Sequence, residues 1–134
     1  MAYLREVRRT FPLSIEAPRS ARRWLRMCGV VPPELADAVD LIVSELVTNS
    51  VTHSGLSEPD VVSVRVASSP AGVVGEVIDK GRGMGRVPRP GAWSMGLRIV
   101  ERTASRWGHA DDPTCVWFEL TPDRERSTRP RWAA

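Results

Sequence analysis

Between Pro32 and Ile78 the apolar residues change their spacing, and that change limits the possible folds more than any other feature of the chain. Leu35, Val39, Ile42 and Leu46 recur in steps of three and four, the pattern of a helix with one buried face. Pro32-Pro33 followed by Glu34 and Asp37 marks its start, because a first-turn proline gives up an N–H that has no helical partner and acids suit the positive end of the dipole. The helix should run to about His53, where Ser54-Gly55 ends it. Residues 61–67 then alternate, Ser68-Ser69-Pro70-Ala71-Gly72 has turn chemistry, and residues 73–78 form a second strand, which makes 61–78 a hairpin.

The remaining elements follow the same cues. Residues 6–16 alternate loosely and read as a strand interrupted by Pro12, which suggests an edge position. Residues 18–27 read as a helix, with Ala21, Trp24, Leu25 and Cys28 at helical spacing and Gly29 as the stop. Residues 79–93 are rich in Gly, Pro and Arg and read as a long loop, which in a compact domain is usually functional. Residues 95–107 return to helix with Leu97, Val100 and Ala104 on one side, and residues 115–120 are a last strand. This order predicts an α+β fold of two layers, a mixed or antiparallel sheet covered by helices on one face. A chain of 134 residues suits one such core, expected over 6–121, with a charged and disordered tail over 122–134. Trp24, Trp107 and Trp117 are expected in the core, and so are Cys28 and Cys115, which show no metal or disulfide spacing.

Charge and hydropathy remove several function classes. The net charge is +3 and the arginines are scattered, whereas a nucleic-acid footprint would be clustered with interleaved aromatics. Lys80 is the only lysine, a preference that reads as codon usage in a GC-rich genome. The first residues lack the apolar core of a signal peptide and no stretch approaches membrane-span length, so the cytoplasm is the expected location. Gly-x-x-x-x-Gly-Lys-Ser/Thr is absent, which excludes a Walker-type phosphate loop.

Three short runs carry chemistry. Glu45 and Asn49 lie four apart on the long helix, one above the other, beside the Ile42–Leu46 stripe. A carboxylate at that boundary is costly unless it is paired, hydrogen-bonded or reacting, although such pairs alone are common on solvated faces. The strand over 73–78 ends in Asp79-x-Gly81-x-Gly83. Glycines there permit positive φ and close approach to a flat ligand, and the Asp can accept a hydrogen bond from an exocyclic amine such as that of adenine. Ser94-Met95-Gly96-Leu97 opens a helix, where free N–H groups and the dipole favour phosphate. Each run by itself is equally compatible with a helix rim, a hairpin turn or an ordinary helix start.

Together they resemble the ATPase domain shared by gyrase, the Hsp90 chaperones, histidine kinases and MutL, the Bergerat fold. The N box corresponds to Glu45-Leu46-Val47-Thr48-Asn49, the G1 box to Asp79-x-Gly81-x-Gly83 and the G2 box to Ser94-Met95-Gly96-Leu97. The runs at 44–54 and Gly96-Leu97-Arg98-Ile99-Val100, with Arg106-Trp107-Gly108, are most similar to the anti-sigma-factor serine kinases of Gram-positive bacteria, actinobacterial type. The resemblance implies that Asn49 binds the Mg²⁺ bridging the phosphates of ATP and that Asp79 takes the adenine amine, with Gly81 and Gly83 lining the base. It also implies that Gly96 and Leu97 hold phosphate beside Ser94 and Met95, that Met84 begins a short lid, and that Glu45 is the catalytic base.

The G2 box normally opens with glycine, where this chain has Ser94, and Ala92-Trp93 puts no basic residue before it. Phosphate charge would then fall to Arg82, Arg86 or Arg89. The polar residue near the adenine-binding Asp is either Thr114 or Cys115; His53 either approaches the phosphates or packs at the helix end; Arg98, Arg102 and Arg106 form a helix stripe, solvated or facing a partner.

The function implied is a cytoplasmic serine/threonine protein kinase that phosphorylates an anti-anti-sigma antagonist and regulates a sigma factor, as a homodimer without contact to nucleic acid or membrane. The Ser94 and Ala92-Trp93 departures motivate the alternative, a nucleotide-dependent interaction module without catalysis. The short segments before the N box and after the last strand lead to the expectation that neither a histidine kinase nor a gyrase- or MutL-type enzyme is present.

Overall fold

The computed structural model describes residues 5–81, 95–110 and 113–122, the side chains of residues 95 and 96 excepted. The elements run β1 (Arg5–Pro12), α1 (Ala17–Cys28), α2 (Pro33–His53), β2 (Val61–Ser69), β3 (Gly72–Asp79), α3 (Met95–Thr103), β4 (Arg106–Ala110) and β5 (Thr114–Leu120). The five strands form one sheet in the order β1-β2-β3-β5-β4, with every neighbouring pair antiparallel. β1 is the edge strand expected, and Pro12 ends it rather than interrupting it. The α+β, two-layer expectation holds.

Helices cover one face. Alternation puts Val62, Val64 and Val66 of β2, Val73 and Val77 of β3, and Val116, Phe118 and Leu120 of β5 on that face, all buried. α2 packs on β2, β3 and β5 and is flanked by α1 and α3. Its buried face is wider than the sequence stripe, with Val43 and Val47 beside Leu35, Val39, Ile42 and Leu46. Each such side chain contributes roughly 1.5–3 kcal/mol before conformational entropy is counted. Pro33 and Glu34 sit in the first turn as expected. α1 stops at Gly29, whose φ of 61° is left-handed and whose N–H reaches the Leu25 carbonyl. Arg5 completes that cap by donating to the Gly29 and Cys28 carbonyls at 2.8 and 3.0 Å.

The centre of the sheet depends on a small–large pairing. Val66, Gly75 and Phe118 lie in register across β2, β3 and β5, and the Phe118 ring occupies the space a Cβ at Gly75 would need.

The third helix is shorter than its sequence pattern suggests. It ends at Thr103; the Ala104 N–H still bonds back to the Val100 carbonyl, but the Ser105 N–H already reaches across to the Glu119 carbonyl. Residues 106–110 therefore form β4, an edge strand that the helical reading of 95–107 missed. Arg-Trp-Gly-His-Ala has no β-branched residue and includes a glycine, so pairing with β5 rather than local propensity makes it a strand. The expected arginine stripe dissolves for the same reason, since Arg98 and Arg102 are exposed on α3 while Arg106 is on β4. Trp107 remains packed against the core, and its indole N–H donates to Glu101. Trp24 also packs against the core, edge-on to Phe11.

Two core expectations are corrected on the other sheet face. Thr114, Val116, Phe118 and Leu120 take the helix side of β5, so Cys115 and Trp117 have the opposite phase. Trp117 lies beneath the Arg106 guanidinium there, 5.9 Å from ring centroid to Cζ. Cys115 is beside Glu76, which accepts the Arg65 Nε–H at 2.8 Å while Arg65 also reaches Glu6 at 3.1 Å. Burial, and then the Glu76 charge, push the Cys115 thiol above its ordinary range. Cys28 packs against the core as expected.

Two outcomes follow. Phe118→Ala should cost roughly 3–5 kcal/mol and Gly75→Ala roughly 1–3 kcal/mol in urea unfolding. The double variant should cost less than their sum, because the new methyl enters the space the ring leaves. In a Cys28→Ser background, Cys115 should alkylate more slowly in the native protein than in urea at pH 8. The unfolded chain ionises first, so this thiol's contribution to stability is intact below the ordinary thiol pKa and declines as pH rises through its raised native value.

Candidate functional site

The site grows from one end of the α2–β3 contact. Along α2 and into its C-cap, Ile42, Leu46, Ser50 and Ser54 recur every four residues and are all buried, so the line that begins as core ends in two hydroxyls. β3 delivers Asp79 beside them. Asp79 is only 5% exposed. Its Oδ2 accepts the Ser50 Oγ–H at 2.6 Å and its Oδ1 accepts the Gly81 N–H at 2.7 Å. The bond from the residue two positions on is an Asx-type turn that reverses the chain as it leaves the strand.

Gly81 serves a purpose different from the one its spacing suggests. Its φ lies outside the left-handed range, so it is not required for positive φ. A Cβ there would sit 2.7 Å from the Asp79 Oδ1, 2.7 Å from the Ser54 carbonyl oxygen and 2.8 Å from the Ser54 Cβ. The close approach that demands glycine is thus to the end of α2 and to Asp79 itself. The choice between Thr114 and Cys115 is also resolved at this level. Thr114 pairs opposite Asp79 and its hydroxyl donates to the Gly81 carbonyl at 3.3 Å, while Cys115 faces the other side of the sheet.

Glu45 and Asn49 occupy α2 where the helix passes from buried to exposed, and both are half-buried as expected. Asn49 immediately precedes Ser50, so its carboxamide belongs to the same helix end as the Asp79 frame, and Glu45 is one turn further back, about 6 Å along the axis. Next to Glu45, α1 ties onto α2. Arg22 donates to the Ser44 Oγ at 3.0 Å, and Arg26 pairs with Asp40 at 2.5 Å. His53, in the last turn of α2, is exposed, which rules out the packing role and leaves it at the rim.

Leu97 of α3 is buried in the core. Met95 and Gly96 form the first positions of α3. Arg82, Gly83, Met84, Arg86, Arg89 and Ser94 lie outside the described residues.

Ser50 and Ser54 are the residues that motif reading passed over. A signal was present, because the steps Ile42, Leu46, Ser50 and Ser54 extend the apolar stripe into serines. Serine on a buried helix line needs a partner, and an acid at the end of a neighbouring strand is one.

Among the described residues, no group of three or more His, Cys, Asp or Glu converges on a point. None of their helices is long and apolar enough to cross a membrane.

Comparisons with known proteins fit this architecture. A family model described as the histidine kinase-like ATPase domain matches residues 11–118. No curated protein matches the chain. The fold is similar to the crystal structure of the RsbU and RsbW domains of Rv1364c from Mycobacterium tuberculosis, with a TM-score of 0.62 and 21% identity. That similarity covers 87% of this chain and 32% of the other, and at this identity it speaks for the fold alone. The family match, however, runs from β1 into β5 and contains α2, Asp79 and Thr114, and on that extent the chain belongs to the histidine kinase-like ATPase domain family.

Proposed function

We propose that this chain is an Mg-ATP-dependent serine/threonine protein kinase of the anti-sigma-factor type, with residues 6–121 as its nucleotide-binding unit. The observation that carries the reading is the buried Asp79 carboxylate, fixed at the end of β3 beside the helix that bears Glu45 and Asn49. A buried carboxylate with two donors is an acceptor held in place, suited to the adenine amine. Asn49 offers a carboxamide oxygen near the same helix end. Mg²⁺ is commonly held by one or two protein oxygens together with substrate phosphates, and the Asn49 carboxamide oxygen would be such a donor. When bound, the ion would supply charge neutralisation at the phosphates.

In the reaction, the hydroxyl oxygen of a partner's serine attacks the γ-phosphorus, the bond from that phosphorus to the β–γ bridging oxygen breaks, and ADP leaves. Glu45 accepts the proton of the attacking hydroxyl. Residues 94–97 at the start of α3 seat phosphate, with Arg82, Arg86 or Arg89 as further cations. Positioning and charge stabilisation dominate phosphoryl transfer, so Asn49 and the helix start should matter more than the base.

The finer assignment is supported by the resemblance of residues 44–54 and 96–100 to anti-sigma-factor kinases, and by a fold shared with a chain that includes an RsbW domain. It implies an anti-anti-sigma antagonist as phosphoacceptor, a sigma factor as the second partner in a switch, a homodimer and a cytoplasmic setting.

Saturating Mg-ADP or Mg-ATP should raise the melting temperature. At a hundredfold excess over Kd the stabilisation is about 2.7 kcal/mol, a rise on the order of 10 °C. Asn49→Ala and Asp79→Ala should each abolish most of that rise, and an unchanged wild-type transition would refute the nucleotide reading. With a cognate antagonist and labelled ATP, Glu45→Ala should still bind nucleotide while transferring phosphate at least a hundredfold more slowly. Wild-type binding without transfer to any cognate antagonist would instead assign an interaction module, the reading that Ser94 in the G2 position motivates.

A further inference from the structure

Ser50 is a buried hydroxyl that the proposed mechanism does not use, yet it makes a short contact to the residue on which nucleotide recognition rests. We infer that Ser50 is a positioning residue for base selection: it locks the Asp79 carboxylate in the orientation that accepts a 6-amino group and rejects a 6-keto group. The inference rests on the reading of Asp79 as the purine contact.

The geometry separates the two oxygens of Asp79. Oδ1 is committed to the Gly81 N–H at 2.7 Å within the turn that follows β3. Oδ2 is held by the Ser50 Oγ–H at 2.6 Å from α2, within the range of charge-assisted hydroxyl–carboxylate bonds. A carboxylate offers only lone pairs, so the serine must be the donor, and Oδ2 keeps a second lone pair for a ligand. The terminal torsion of an aspartate is otherwise soft and roughly two-fold. A tether at Oδ1 alone would leave Oδ2 free to swing, and two tethers from different elements stop it.

The surroundings support this division. Gly81 is itself fixed at its carbonyl by the Thr114 hydroxyl at 3.3 Å and cannot retreat past Ser54. Ser50 is only 6% exposed and sits on the packed face of α2, which rotates no more freely than the core beneath it. A fixed acceptor discriminates in both directions. It bonds the amine of adenine and faces the carbonyl oxygen of hypoxanthine or guanine with like partial charge. A carboxylate able to turn away loses both effects at once.

The test is a ratio measured within each variant. Calorimetric titration of the full chain with Mg-ADP and with Mg-IDP, which differ at purine position 6, should show the wild type preferring ADP. In Ser50→Ala the ADP affinity should fall about tenfold while the IDP affinity stays constant or rises, so the preference shrinks about tenfold or more. Ser50→Cys, similar in size with a weaker donor, should lie between the two. A partly unfolded variant lowers both affinities by the same factor and leaves the ratio untouched. Should Ser50→Ala fail to fold, Ser50→Cys carries the same comparison. A ratio unchanged by the variants would overturn the role of Ser50 alone, whereas a wild type that binds both nucleotides equally would overturn the assignment of Asp79 to the purine amine and this inference with it. A wild type that binds neither would overturn the nucleotide reading, and this inference with it.

Discussion

The position of α2 across the middle of the sheet is the constraint on which the rest of the structure depends. One helix fills the core with Leu35, Val39, Ile42, Val43, Leu46 and Val47, and the same helix carries Glu45, Asn49 and Ser50 of the candidate site. Rotation about its axis is set by the apolar side, because turning it would expose several large side chains at roughly 1.5–3 kcal/mol each. The polar side therefore inherits its orientation from hydrophobic packing. Glu45 and Asn49 fall at the boundary, and Ser50, on the same buried line as Ile42 and Leu46, falls toward β3 because the apolar residues of that face fix the rotation.

Burying Asp79 is the cost of this arrangement, and the fold offsets it locally. An isolated carboxylate at that depth would be strongly unfavourable. Here the helix supplies a hydroxyl, the following turn supplies an N–H, and the neighbouring strand steadies that turn through Thr114. Ser50 of α2 meets the Asp79 side chain and Thr114 of β5 meets the turn that follows it, and the absence of a Cβ at Gly81 allows the close approach. The opposite sheet face handles charge in another way, pairing Arg65 with Glu76 and Glu6 at partial exposure, where such bonds contribute little to stability but keep a half-open face polar.

Much of this was legible from residue spacing. The α2 stripe, the hairpin of β2 and β3, the stop at Gly29 and the edge position of β1 each have a local cause: side-chain period, turn chemistry, positive φ or a proline. The elements that spacing misjudged lack such a cause. Arg106 and Trp107 continue the helical reading of 95–107, yet residues 106–110 become a strand because β5 offers an unpaired edge. Cys115 and Trp117 are apolar by type and face away from the helices because β5 is anchored in the phase that buries Phe118 over Gly75.

The same division applies to the candidate site. Residue types and intervals singled out Glu45, Asn49, Asp79 and Gly81, because helix period and strand termination are properties of consecutive residues, and the resemblance to the ATPase boxes attached roles to them. Tertiary structure alone decided what Asp79 touches, that Thr114 rather than Cys115 stands opposite it, and that Gly81 is small for the sake of Ser54. Those outcomes depend on the register of β3 against β5 and on the rotation of α2 over the sheet. Both are set by packing between segments far apart in the chain, a quantity that no local stretch of sequence contains.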